Sequence, residues 1–304
     1  MSIYVRQLFF IACMSASTVF AAHAATVSPK PASSATKAVA SPALPKLTAA
    51  EIVDKSLAAS GGAGAWKAVQ TLSLSGKLDA GRERKDGGNI PTNPVQAKID
   101  AKTRAKSVLE GKNKAPPEKI IQLAFKLDLA RPNKQRLEIP FQGDTAVQVY
   151  DGANGWKLRP YLGRREVESY SKDELAIAAE EQQLDGPLVD YAAKGTQVSL
   201  AGTELVDGNP AYHLKLKFKD GSVRGLWIDG KSFLEVKLEG TPRRRDGRPR
   251  TVMTYFKDYR KVGGLMVPHL RETQVAGDPH IERIQIEKVV VNPSLGPNEF
   301  TKPG

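Results

Sequence analysis

The residue types that most often carry chemistry are scarce here and stand apart. Four histidines occur, at 23, 213, 269 and 280, in no H-x-H or H-x-x-H spacing. A structural or catalytic metal needs a cluster of imidazole, thiolate and carboxylate donors, and no such spacing is present. The one cysteine, Cys13, lies in the first apolar stretch. No G-x-S-x-G, P-loop or dinucleotide fingerprint appears. The glycines of "SGGAGAW" have neither a preceding strand nor a Lys-Ser/Thr pair, so they read as a helix stop. Glu180-Glu181 is a carboxylate pair on a solvated helix face. These absences favour a binding protein over an enzyme and call for no cofactor and no metal.

Two other groups could bind rather than catalyse. "TPRRRDGRPR" places Arg243, Arg244, Arg245, Arg248 and Arg250 around an Asp-Gly turn. Arginine forks suit bidentate contact with phosphates or carboxylates. The run is either a solvated hairpin tip or a docking finger for head groups or an acidic partner. The tryptophans at 66, 156 and 227 serve either as core or as lining of an apolar pocket.

The first residues address the chain. A short basic start ending at Arg6 precedes an apolar run from Leu8 to Ala22, and Ala22-His23-Ala24 is an A-x-A cleavage site. This pattern reads as a secretory signal, residues 1–24, cut after Ala24. The "FIAC" ending at Cys13 has too short an apolar lead for a lipoprotein box. The expected location is the periplasm, where the mature chain has no cysteine. The formal charge is +12, and cleavage removes Arg6 and no acid, leaving +11. An exported basic chain meets lipid head groups and acidic proteins rather than nucleic acid, and peripheral membrane contact is compatible with it. Residues 25–46, rich in Ala, Ser, Pro and Lys, read as a flexible linker. Residues 47–304 form a single domain on this reading.

The elements of that domain follow from period. Thr48-Ala-Ala-Glu51 is a capping box opening a helix to about Ser60, and a short helical turn around Trp66 follows. Beyond it the period becomes two. Leu72, Leu74 and Leu78 share a face; so do Leu123, Phe125, Leu127 and Leu129. In "AYHLKLKFK", Tyr212, Leu214, Leu216 and Phe218 oppose His213, Lys215, Lys217 and Lys219. Further alternating runs lie near 95–108, 134–141, 145–150, 155–162, 196–206, 223–229, 232–239, 250–259, 264–275 and 280–291. Asp-Gly turns separate several of them, which is hairpin chemistry. One interruption is helical: Ser171-Lys-Asp-Glu174 caps a helix over roughly 172–184, and Pro187 can open another ending near Gly195. The fold class is therefore α+β, a large open antiparallel sheet that curls over a few helices. Trp156 and Leu158 share a face by period two, expected to point toward the helices. With Trp227, Tyr212, Leu214, Leu216 and Phe218 they are the candidate wall of an apolar cavity.

An ordered set of segments resembles exported proteins related to LolA and LolB, in an uncharacterised lipoprotein-sorting-like branch. These are "TAAEIVDKSLAASGGAGAWKAVQTLSLSGKL", "RPNKQRLEIPFQGDTAVQVYDGANGWKLRP", "LDGPLVDYAAKGTQVSLAGTELVDGNPAYHLKLKFKDGSVRGLWIDGKSFLEVKL", "DYRKVGGLMVPH" and "VVVNPSLGPNEF". Together they cover most of 48–300. The resemblance implies a strongly curved half-barrel around helices, with a cavity that holds acyl chains of lipoproteins or lipids. It carries no individual functional residue onto this chain. The expected function is a periplasmic carrier or sensor of acylated ligands. The alternative is an envelope interaction module without lipid, docking an acidic partner through the basic hairpin.

Overall fold

The structure, a computed structural model, describes residues 44–82, 120–160, 163–181, 184–245 and 247–304. The expected signal, most of the linker and the 95–108 run lie outside the described residues. Helix α1 spans Ala49–Ala59. Its capping box forms as expected: the Thr48 amide donates to the Glu51 carboxylate at 2.7 Å, and the Glu51 amide to Thr48 Oγ1 at 3.3 Å. The helix ends at Ser60, because Gly61 has φ +109° and a Cβ there would sit 2.6 Å from the Gly264 carbonyl. Only glycine tolerates both conditions. A short helix α2, Ala63–Ala68, carries Trp66 into the interior.

Among the described residues thirteen strands form one sheet with antiparallel neighbours throughout. In chain order they are β1 Thr71–Arg82, β2 Ile120–Ala130, β3 Lys134–Phe141, β4 Asp144–Tyr150, β5 Gly155–Arg159 and β6 Arg164–Ser169. After helix α3, Lys172–Glu181, come β7 Gln197–Val206, β8 Asn209–Lys217, β9 Val223–Asp229, β10 Glu235–Arg245, β11 Arg248–Val262, β12 Leu265–Val275 and β13 Ile281–Val291. The spatial order is β6-β5-β4-β3-β2-β1-β13-β12-β11-β10-β9-β8-β7. The first and last strands therefore pair at the centre, and β6 and β7 form opposite edges. The sheet is open and curved, the α+β architecture that the LolA-like resemblance implies.

The connection from β6 to β7 leaves the hairpin pattern. From β6 the chain must reach the far edge, and it does so through α3 and residues 184–195 across one face. The expected helix from Pro187 is instead a run of turns. Asp190 and Gly195 take positive φ, 50° and 75°, which breaks the helical hydrogen-bond ladder. This crossing segment fills the space beside α1 and α2. Leu184 and Val189 join a core with Trp66, Leu72, Leu74, Leu127 and Leu137. Leu188 joins a second core with Ile52, Val53, Tyr212, Leu214 and Leu226. Arg131 anchors the crossing: its guanidinium pairs with Asp185, and its Nε donates to the Val69 carbonyl at 2.7 Å. The face carrying both cores is the inner face.

Candidate functional site on the inner face

Direct cross-strand partners in an antiparallel pair share a face, so the register assigns every expected residue. Tyr212, Leu214 and Leu216 are fully buried on the inner face, packed against α1. The Tyr212 hydroxyl donates to the Pro45 carbonyl at 2.9 Å, and its ring stacks on Phe233. Phe218 is half-buried against the same cluster.

The other three assignments are corrected. Ile139 and Leu137 of the inner core pair with Ala146 and Gln148, and Gln148 pairs with Lys157. Lys157 is therefore inward, where its ammonium meets Glu174 of α3 at 2.5 Å. Trp156 and Leu158 pair with Val149 and Val147 and point outward, away from the helices. Trp227 pairs with His213, one position out of phase with inward Leu214 and Leu226, so it too is outward. Its indole is 4% exposed yet outside the helix-covered core. His213 stacks on it at 4.2 Å, Lys237 lies 4.0 Å over the ring, and Nε1 donates to Glu204 at 2.8 Å. That bond is the main reason the Glu204 carboxyl is held below the usual range. The indole that faces inward is Trp66, whose Nε1 donates to the Ser60 carbonyl at 3.0 Å.

The arginine run is divided by the same alternation. Arg243 pairs across the hairpin with Arg250, Arg244 with Pro249, and Arg245 with Arg248. Arg244 and Arg248 are exposed. Arg243 instead reaches the Glu282 carboxylate, with Nη1 2.9 Å from each oxygen. Glu282 pairs with Thr273, which pairs with Thr254 of the inner row. The ion pair thus crosses from β10 to β13 over two strands, roughly 14 Å on a flat sheet. Inward curvature shortens that span. Arg250 follows the phase of buried Val252, and its guanidinium lies beside Gly277.

A third guanidinium completes the group. Arg271 of β12 is 3% exposed, and its cross-strand partners are Phe256 and Ile284, both core residues. Its Cζ lies 5.5 Å over the Phe256 ring. The central strands β10–β13 therefore present Arg243, Arg250 and Arg271 on the inner face among Val252, Phe256, Val275 and Ile284. Burial pushes the Glu282 carboxyl up, against the pull of Arg243. Arg271 and Glu282 were missed from sequence, although a signal exists. Leu265, Val267, His269, Arg271, Thr273 and Val275 alternate in one phase, and all six are buried. A second buried acid, Glu235, pairs with inward Ile228 at the start of β10. Neither of its oxygens has a hydrogen-bond partner among the described residues, and burial pushes its carboxyl up.

Among the described residues no three His, Cys, Asp or Glu side chains are grouped as a metal would need. No helix among them is long and apolar enough to cross a membrane. No family model and no curated protein matches the chain. It is similar to the crystal structure of a LolA superfamily protein from Nitrosomonas europaea, at 14% identity and TM-score 0.49. That alignment covers 84% of this chain and 99% of the other. A DUF1329 family protein from Desulfovibrio piger is similar at 14% identity and TM-score 0.48, over 83% of this chain and 96% of the other.

Proposed function

We propose that the protein is a periplasmic carrier or sensor of acylated ligands, a binding protein rather than an enzyme. One observation carries the reading. The inner face of an open sheet combines apolar side chains with guanidinium groups, at strands β10–β13 where the two helix-backed cores meet. A surface of that composition is complementary to an amphiphile, with an acyl chain for Val252, Phe256, Val275 and Ile284 and a polar end for the arginines. Each buried methylene contributes about 0.8 kcal/mol, so an acyl chain supplies most of the affinity without polar contacts. The A-x-A signal and the LolA-like resemblance support export and acyl-chain binding.

The test is native mass spectrometry of the mature protein purified from its own periplasm, followed by organic extraction. Near-stoichiometric lipid or lipoprotein supports the reading. A protein that is free of lipid, and stays so after incubation with acylated peptides, overturns it. That result turns attention to exposed Arg244 and Arg248 as a contact for an acidic envelope protein.

A further inference from the structure

We infer that the edge strand β7 docks an extended acidic segment of another polypeptide, which adds to the sheet beside residues 197–200. The inference is independent of what the inner face binds. The two edges of the sheet differ. β6 is six residues long, and four of them, Arg164, Arg165, Glu166 and Glu168, are charged. Arg164 pairs with Glu168, and Arg165 with Asp144. Short, charged edges resist the addition of a strand. β7 is ten residues long and has one charged residue, Glu204, whose carboxylate is already bonded to Trp227 and His213. Among the described residues β7 pairs with β8 alone, and Leu200 and Leu205 are 38% and 56% exposed. A strand paired on one side presents N–H and C=O groups that a guest strand can complete.

The neighbouring strand sets the chemistry of the guest. Val198 and Leu200 pair with inward Leu216 and Leu214, while Gln197 and Ser199 pair with outward Lys217 and Lys215. Both lysines are exposed, and no ion pair among the described residues involves either. The irregularity between Leu200 and Gly202 ends this lysine-backed part of the edge. A guest strand lies roughly 10 Å from β8, two strand spacings away. A glutamate on its outer face and the Lys215 arm close that gap over the small side chain of Ser199. Its inward residues continue the rows of Val198 and Leu200 and are apolar. The guest is therefore a segment that alternates apolar and acidic residues, with charge giving the selectivity and the backbone the seat. A second copy of this chain fits less well, because its β7 brings only Glu204, which is already bonded.

The experiment measures binding of synthetic heptapeptides to the mature protein. One alternates valine and glutamate, a second alternates valine and lysine, and a third is the valine–glutamate peptide N-methylated at alternate amides. The expected result is that the valine–glutamate peptide binds at least ~10-fold more tightly than the valine–lysine peptide. N-methylation abolishes binding, because it removes the donors that pair with β7. The double variant Lys215→Gln, Lys217→Gln brings the first two affinities together. Lys288→Gln, an equal loss of charge at an exposed position of β13, leaves both as in the wild type. Equal affinities in the wild type, or full binding of the N-methylated peptide, overturn the inference. So does loss of binding in Arg244→Gln, Arg248→Gln while the lysine variant still binds, which moves the acidic contact to the hairpin. A mature protein that sediments as a dimer, and becomes a monomer with Leu200→Lys, gives the edge to a second copy and also overturns it.

Discussion

The two faces of the sheet bury a tryptophan and position a carboxylate each, by opposite means. Inside, Trp66 is fully buried among aliphatic side chains, and Glu235 is buried without a hydrogen-bond partner among the described residues. Outside, Trp227 is 4% exposed under His213 and Lys237, and Glu204 accepts bonds from both Trp227 and His213. The same low exposure thus arises from apolar packing on one side and from stacked rings and charges on the other. Burial alone does not say which side of a sheet a residue faces. The electrostatic result differs too: the inner acid is pushed up and the outer acid is held down.

The largest expected break falls on the inner face. Trp66→Ala removes a side chain that nothing can replace, and urea melts should register a loss of about 3–5 kcal/mol. Trp227→Ala should cost less, roughly half, because water can reach its charged cover. Equal losses would mean that the outer cluster is a true second core.

The two carboxylates sharpen the contrast through pH. A carboxyl raised in the folded state binds its proton more tightly there, so its stability contribution is full below the ordinary value near 4.5 and falls as pH rises. Glu235→Gln should therefore raise Tm at pH 8 and leave it unchanged at pH 4. Glu204 is lowered, so its contribution is present above that value and is lost as pH falls. Glu204→Gln should lower stability at pH 7 and converge with wild type at pH 3. The effect should stay under about 1 kcal/mol, since the Glu204 side chain is 48% exposed. Parallel pH slopes in the two variants would contradict the assignment of faces. The smallest effect is expected from Trp156→Glu, which should retain ligand at wild-type level because the ring points outward. Loss of ligand there would place the binding surface on the other side of β5.

Much of this architecture was legible in the residues. The capping box at Thr48, the alternation of Tyr212 to Phe218 and the Asp-Gly turns specify local geometry through nearest neighbours. The candidate site was legible only in part. Tyr212, Leu214 and Leu216 lie on the inner face as expected, while Trp156, Leu158 and Trp227 do not. Arg271 was hidden because one charged residue inside a strand resembles a solvated position until its phase is compared with Val267 and Val275. Arg243 was read with its neighbours as one finger, although consecutive strand residues point to opposite faces.

From the sequence alone come the element types, the hairpins and the grouping of residues into rows, because helical caps, turn chemistry and period two are local. Which row faces the helices was decided by tertiary structure. That choice depends on the register of each pair and on bulges such as those after Ser75, Glu235 and Gly240. A shift of one residue turns a whole strand over, and no residue within the strand records it. The meeting of β1 with β13, and of Arg243 with Glu282 across two intervening strands, likewise exists only once a long-range pairing has bent the sheet inward.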